Sequence, residues 1–151
     1  MVSRTIWRST RFGTLTAHRD KLAYFYYLTC EHMTATGCYR LPDGYAIADL
    51  AWTMEDYLAA RAAVLGAGLI DHDPETDEIY VEKWLANNPP RNQKHATGIR
   101  NLIYGIESDR LREKLEADFR DAWQPNPLDN HPSHRGGNGL TDTAFFRGGR
   151  P

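Results

Sequence analysis

The pattern of apolar and polar positions is most informative between Ile47 and Lys83. Ile47–Ala51 reads as a short apolar helix, with Trp52 and Thr53 as the turn after it. Thr53 suits an N-cap, and Asp56 three residues on makes the pair resemble a capping box. Glu55 and Asp56 would also lie at the positive end of the helix dipole. Leu58, Ala62 and Leu65, at spacings of four and three, mark the face this second helix should bury. Gly66 and Gly68 can stop it. Leu69–Asp71 begins a strand, Asp73–Asp77 is turn chemistry, and Glu78–Val81 returns as a second strand. Helix, turn, helix, strand, tight turn, strand is the order of a winged helix-turn-helix.

The flanks extend this pattern. Val2–Arg11 alternates loosely, with Ile6, Trp7 and Phe12 as apolar anchors and Arg4, Arg8 and Arg11 between them. It predicts an extended arm packed by Trp7. Thr16 is placed to cap a helix over Ala17–Met33, with Leu22, Phe25 (or Tyr26) and Thr29 on one face, broadened by Tyr24, Tyr27 and Leu28. So aromatic a helix is a core element more readily than a base-stacking platform. Cys38–Leu41 is a short β segment ended by Pro42, expected to pair with the two later strands. Asp43 should cap the helix through Ile47 and Leu50. After the hairpin, Lys83-Trp84-Leu85 adds a packing anchor. Asn87 to His95 is polar, basic and amide-rich, and Pro89 and Pro90 argue against a helix there. Helices are expected over Thr97–Ile106, through Ile99, Leu102, Ile103 and Ile106, and over Asp109–Trp123, capped by Ser108 with Leu111, Leu115, Phe119 (or Ala122) and Trp123 on one side.

From Gln124 onward the chain turns to proline and glycine and cannot bury enough apolar surface to fold alone. Its one island, Phe145-Phe146, reads either as a partner-docking motif that orders on binding or as a chance pair. The expected fold class is therefore α+β, mostly helical: a winged helix with a basic N-terminal arm over 1–90, a basic linker and helical extension over 91–123, and a flexible tail over 124–151.

Charge sharpens the picture. The net charge of −2 over 151 residues hides a division. Residues 1–42 carry six Lys/Arg against two Asp/Glu, residues 43–90 two against ten, and residues 91–107 three against one. Two cysteines, Cys30 and Cys38, build no disulfide framework. No apolar run approaches a membrane span and the N-terminus lacks a signal-peptide core, so the expectation is a cytoplasmic protein with reduced thiols and no membrane partner. Cys30-x-His32 with Cys38 lacks a fourth ligand at a zinc spacing. The acidic run Asp71–Glu78 lacks the glycine and terminal glutamate of a calcium loop. No nucleophile elbow, phosphate loop or dinucleotide fingerprint is present. We expect no cofactor, no metal and no enzyme.

For double-stranded DNA as a partner, the reading helix poses a problem, since Glu55 and Asp56 would face phosphates and only Arg61 follows. Positive charge would have to come from Arg4, Arg8 and Arg11, together with Arg19 and Lys21, and from Arg91, Lys94, His95 and Arg100. The arm arginines are equally explained as a solvated face of a packed terminal segment.

Trp7-Arg8-Ser9-Thr10-Arg11-Phe12, Leu28-Thr29, Gly37-Cys38-Tyr39-Arg40-Leu41-Pro42, Ala48-Asp49-Leu50, Ala67-Gly68-Leu69-Ile70, Trp84 and Asn88-Pro89-Pro90-Arg91-Asn92 with Lys94-His95 together resemble a family of bacteriophage and prophage proteins. These are replication-initiation or replisome-organiser-like proteins with an N-terminal winged helix, related in layout to DnaD-type primosome proteins. The resemblance covers roughly residues 4–100. It implies a role in phage DNA replication, by binding origin DNA or by recruiting a host helicase or helicase loader, and it implies no catalytic residues. Two other readings of the same fold stay open. One is a transcriptional regulator, binding paired half-sites as a homo-oligomer. The other is a protein-interaction scaffold or adaptor of a host nucleic-acid machine that does not bind DNA.

Overall fold

The computed structural model describes residues 4–124 and shows an α+β, mostly helical chain around a small antiparallel sheet. A 3₁₀ turn (Arg4–Arg8) leads into α1 (Thr10–Gly13) and α2 (His18–Thr29). Strand β1 (Cys38–Arg40) is followed by α3 (Asp43–Leu50), α4 (Met54–Gly66), β2 (Ile70–Asp73) and β3 (Glu78–Val81). Three helices complete it: α5 (Trp84–Asn87), α6 (Gln93–Tyr104) and α7 (Asp109–Ala122). The strand order is β1-β3-β2, with Cys38 opposite Tyr80, Tyr39 opposite Ile79, and Ile70 opposite Val81.

All four residues of β3 are buried, which a strand with one solvated face would not show. Two layers cover it. Tyr39 and Ile79, opposite one another, belong to the face on the side of α2 and α4, since the Tyr39 hydroxyl donates to the Tyr27 carbonyl at 2.6 Å. On the other face, Glu78 and Tyr80 meet the N-terminus and body of α7. Across the helical layer, the hydroxyls of Tyr27 on α2 and Tyr57 on α4 lie 3.1 Å apart in the core.

Several boundaries and faces differ from the sequence expectation. The arm is not extended. It coils into the 3₁₀ turn and α1, because Ser9 Oγ accepts the Phe12 N–H and caps a helical turn. Its buried anchor is Phe12, whereas Trp7 is 68% exposed and lies edge-on to Phe12 with centroids 5.4 Å apart. Helix α2 begins after Ala17 without a side-chain cap and ends at Thr29, four residues before Met33; Cys30 is already extended. It buries Ala23, Tyr24, Tyr27 and Leu28, leaving Leu22 51% exposed and Thr29 in solvent. Helix α4 likewise buries Tyr57, Ala60 and Val64 rather than Leu58, Ala62 and Leu65. Both sequences carry two stripes of helical spacing. On each helix the stripe that turns inward is the one that meets the other helix, through Tyr27 and Tyr57.

Asp43 is the first residue of α3 rather than its cap, and α3 runs unbroken to Leu50, so the short helix expected from Ile47 begins one turn earlier. Trp84 and Leu85 belong to a short helix. Helix α6 starts at Gln93, before the expected Thr97, because Asn92 Oδ1 accepts the His95 N–H at 2.8 Å. Thr53 and Ser108 cap as their spacing implies, accepting from Asp56 and Leu111. In α7, Leu111, Leu115 and Phe119 are buried as expected. Phe145 and Phe146, with the rest of the tail from Pro125, lie outside the described residues.

One close approach ties α5 to the loop before β1. Gly37 has a φ of +74°, and a Cβ there would stand 2.3 Å from Trp84 Cγ. Trp84 Nε1 also donates to the Ala35 carbonyl at 3.1 Å. Gly37→Ala is therefore expected to destabilise the protein by about 3 kcal/mol, combining left-handed strain and overpacking. Gly98→Ala, within α6 and in open space, should stabilise it by roughly 0.5–1 kcal/mol. Urea denaturation of both variants checks the two signs.

Candidate functional site

Most of the acids that crowd the hairpin have partners. Glu78 is a buried carboxylate; its Oε1 accepts the Glu107 N–H at 3.0 Å and its Oε2 accepts the Ser108 N–H at 2.7 Å. Ser108 Oγ donates to Asp73, and the Tyr80 hydroxyl donates to Asp118. Arg110 donates to Asp71 at 2.7 Å and to the His72 carbonyl at 3.0 Å. Lys114 spans Asp71 and Glu82. The acidic run is thus the socket of α7. Burial pulls the Asp71 carboxyl up, but hydrogen bonds from Arg110 and Lys114 outweigh it and hold the group below its ordinary value.

Helix α4 is similarly committed. Arg61 forms an ion pair with Asp43 of α3 and stacks over the Tyr57 ring, with its side chain only 13% exposed. Asp56 is paired with Arg19 of α2. What α4 offers to solvent is Met54, Glu55, Leu58, Ala59 and Ala62, with no cation among them.

The remaining basic residues divide between two places. A cleft of about 420 Å³ lies between the N-terminal turn, α2, the end of β3 and α5. Arg8, Arg11 and Lys83 line it together with Ser9, Asn87 and Asn88. Its floor is apolar, formed by Leu28, Leu69, Val81 and Trp84. Arg11 is half-buried and donates to the Gly68 carbonyl, so it serves as a wall that fixes the left-handed turn before β2. Arg8 and Lys83 are exposed at this cleft. Arg91 follows three residues after Asn88, which holds its Cα within about 11 Å of that lining residue. Arg91 and Lys94 are exposed. His95 is half-buried, its Nδ1 accepting the Arg91 N–H at 3.2 Å. Arg4 opens the N-terminal turn. Arg100 lies elsewhere, stacked on Phe119 in a hollow between α6 and α7 that also takes Tyr104 and Trp123. The structure therefore groups Arg8 and Arg11 with Lys83, which charge counting by segment did not single out, and separates Arg61 and Arg100 from them.

Among the described residues no group of three or more His, Cys, Asp or Glu side chains is placed to hold a metal ion. Cys30 and Cys38 are free and buried. Burial, with the Glu78 and Asp71 carboxylates adding to it, pushes the Cys38 thiol up to about 12, which leaves little thiolate for nucleophilic chemistry. No helix of the described residues is long and apolar enough to cross a membrane.

Comparison with protein-family models, with curated proteins and with solved structures finds no match to this chain.

The hairpin–α7 clamp gives a pH dependence whose sign follows from Asp71. A carboxyl held below its ordinary value of 3.8 contributes stability above that value and loses it as pH falls further. The urea midpoint should therefore fall more steeply below about pH 4 in the parent protein than in Asp71→Asn. Equal slopes in the two proteins would remove Asp71 from the clamp.

Proposed function

We propose that this chain is a DNA-binding winged-helix protein, working in DNA replication initiation or replisome recruitment of the phage type. The element order supports the fold part of this reading: helix α2, strand β1, helices α3 and α4, then the hairpin β2–β3 packed on β1. The resemblance of residues 4–100 to replisome-organiser-like proteins supports the role. The observation that carries the binding surface is the cleft, where Arg8 of the N-terminal turn and Lys83 after the hairpin come together beside Asn88, a few residues before Arg91 and Lys94.

On this reading the protein does not approach DNA through α4. Phosphates repel an exposed Glu55, and Arg61 is already spent on Asp43. Arg8 and Lys83 at the cleft, with the exposed Arg91 and Lys94 further along the chain, meet the backbone instead, giving affinity that is largely independent of sequence and strongly dependent on salt.

A second reading rests on α4 itself. Met54 and Leu58, one turn apart and both exposed, form an apolar stripe beside the exposed Glu55, while Asp56 is paired with Arg19. Such a face suits another protein better than a polyanion, as expected of an adaptor or scaffold, or of a recruiter that binds DNA on one side and a helicase or its loader on the other.

Replacing Arg91 and Lys94 with Ala tests the DNA contact. Binding to duplexes of unrelated sequence should weaken by a similar factor, and the slope of log affinity against log salt should become shallower by nearly one unit per lost phosphate contact. An unchanged slope would place those residues off the DNA. Met54→Glu with Leu58→Glu should leave this titration unaltered while abolishing any interaction made through α4.

A further inference from the structure

We propose that the cleft between the N-terminal turn and α5 binds a nucleotide unit, its phosphate held between Arg8 and Lys83 and its base lying against the apolar floor. This names the ligand class of the surface assigned above and rests on the nucleic-acid reading.

The dimensions fit. At about 420 Å³ the cleft falls within the range of small-molecule sites, about 300–1,000 Å³, and combines an apolar floor with a few convergent polar groups. Within the described residues neither Arg8 nor Lys83 has an ion-pair partner, whereas the acid of the lining, Glu82, is paired with Lys114. The cleft therefore presents uncompensated positive charge beside apolar surface. Lys83 sits at φ 59°, ψ 22°, a left-handed conformation that non-glycine residues adopt infrequently.

The carboxamides favour a base over an aliphatic anion. Asn87 Nδ2 donates to the Lys83 carbonyl at 3.0 Å, which leaves its Oδ1 and second N–H for a ligand. Asparagine offers a donor and an acceptor side by side, the pattern a nucleobase edge answers. A fatty or simple carboxylate brings no donor to the Asn87 Oδ1. The same phosphate-plus-base chemistry belongs to a free nucleotide and to the terminal unit of a strand.

Calorimetric titration of the full chain at low salt separates the possibilities, with adenosine monophosphate, adenosine, inorganic phosphate and a 5′-phosphorylated tetranucleotide as probes. One saturable site for the monophosphate or the tetranucleotide is expected, weakened about tenfold or more by Arg8→Ala and by Lys83→Gly. Glycine is chosen at position 83 because it accepts the left-handed backbone, so the fold is preserved. Arg100→Ala, in the separate hollow between α6 and α7, should change nucleotide affinity by less than about twofold. A tetranucleotide bound about tenfold tighter than the monophosphate identifies a strand end, and equal affinities identify a free nucleotide. No saturable binding of either, inorganic phosphate binding as tightly as the monophosphate, or affinities unmoved in both cleft variants would overturn the proposal. A duplex titration on the same samples keeps the two readings apart. Duplex binding without nucleotide binding overturns the cleft alone, and nucleotide binding without duplex binding overturns the DNA reading instead.

Discussion

A buried carboxylate is tolerated only when its oxygens are met by donors, and Glu78 meets that condition through the backbone of another element. It lies in the middle of the chain's charge map, on the central strand, facing away from α2 and α4. The N–H groups of Glu107 and Ser108 reach its two oxygens. Ser108 in turn caps α7 and donates to Asp73 of the neighbouring strand. A charge-assisted hydrogen bond to a buried group is worth more than a neutral one, and leaving such a group unmet is costlier still. The position of α7 therefore follows from the hairpin's acids, and with it the covering of the sheet's second face.

That commitment reshapes the electrostatics. Counted by segment, residues 43–90 look like an acidic surface able to repel a polyanion. In three dimensions Asp71, Asp73, Glu78 and Glu82 are directed to α7, Asp43 to Arg61, and Asp56 to Arg19. Much of the negative charge is thus consumed internally, and so are several of the cations. The cations left at the cleft, Arg8 in the N-terminal turn and Lys83 just before α5, have no ion-pair partner among the described residues.

The cleft depends on small geometric permissions. Gly37 lets the Trp84 ring lie against the backbone before β1, which seats α5. Gly68, at φ +65°, turns the chain into β2 and offers its carbonyl to Arg11. Replacing Gly37 would shift a wall of the cavity without touching a cation, and replacing Gly68 would disturb the wall that Arg11 forms, so the binding chemistry is held by backbone conformation as much as by charge.

The sequence by itself determined what depends on neighbours along the chain. The caps at Thr53 and Ser108, the buried row of Leu111, Leu115 and Phe119, the turn at Asp73–Asp77, and the order of elements from α2 to β3 all rest on spacings of a few residues, where local sterics and hydrogen bonding decide the outcome. Tertiary structure decided which of two equally spaced stripes on α2 and α4 turns inward, because that choice depends on how the two helices pack on one another, and no single helix encodes its partner. It also decided that Arg61 is a structural cation, that Arg100 lies apart from the cleft, and that Lys83 joins Arg8, since each pairing links residues at least 18 positions apart, and only the folded path of the backbone sets such distances.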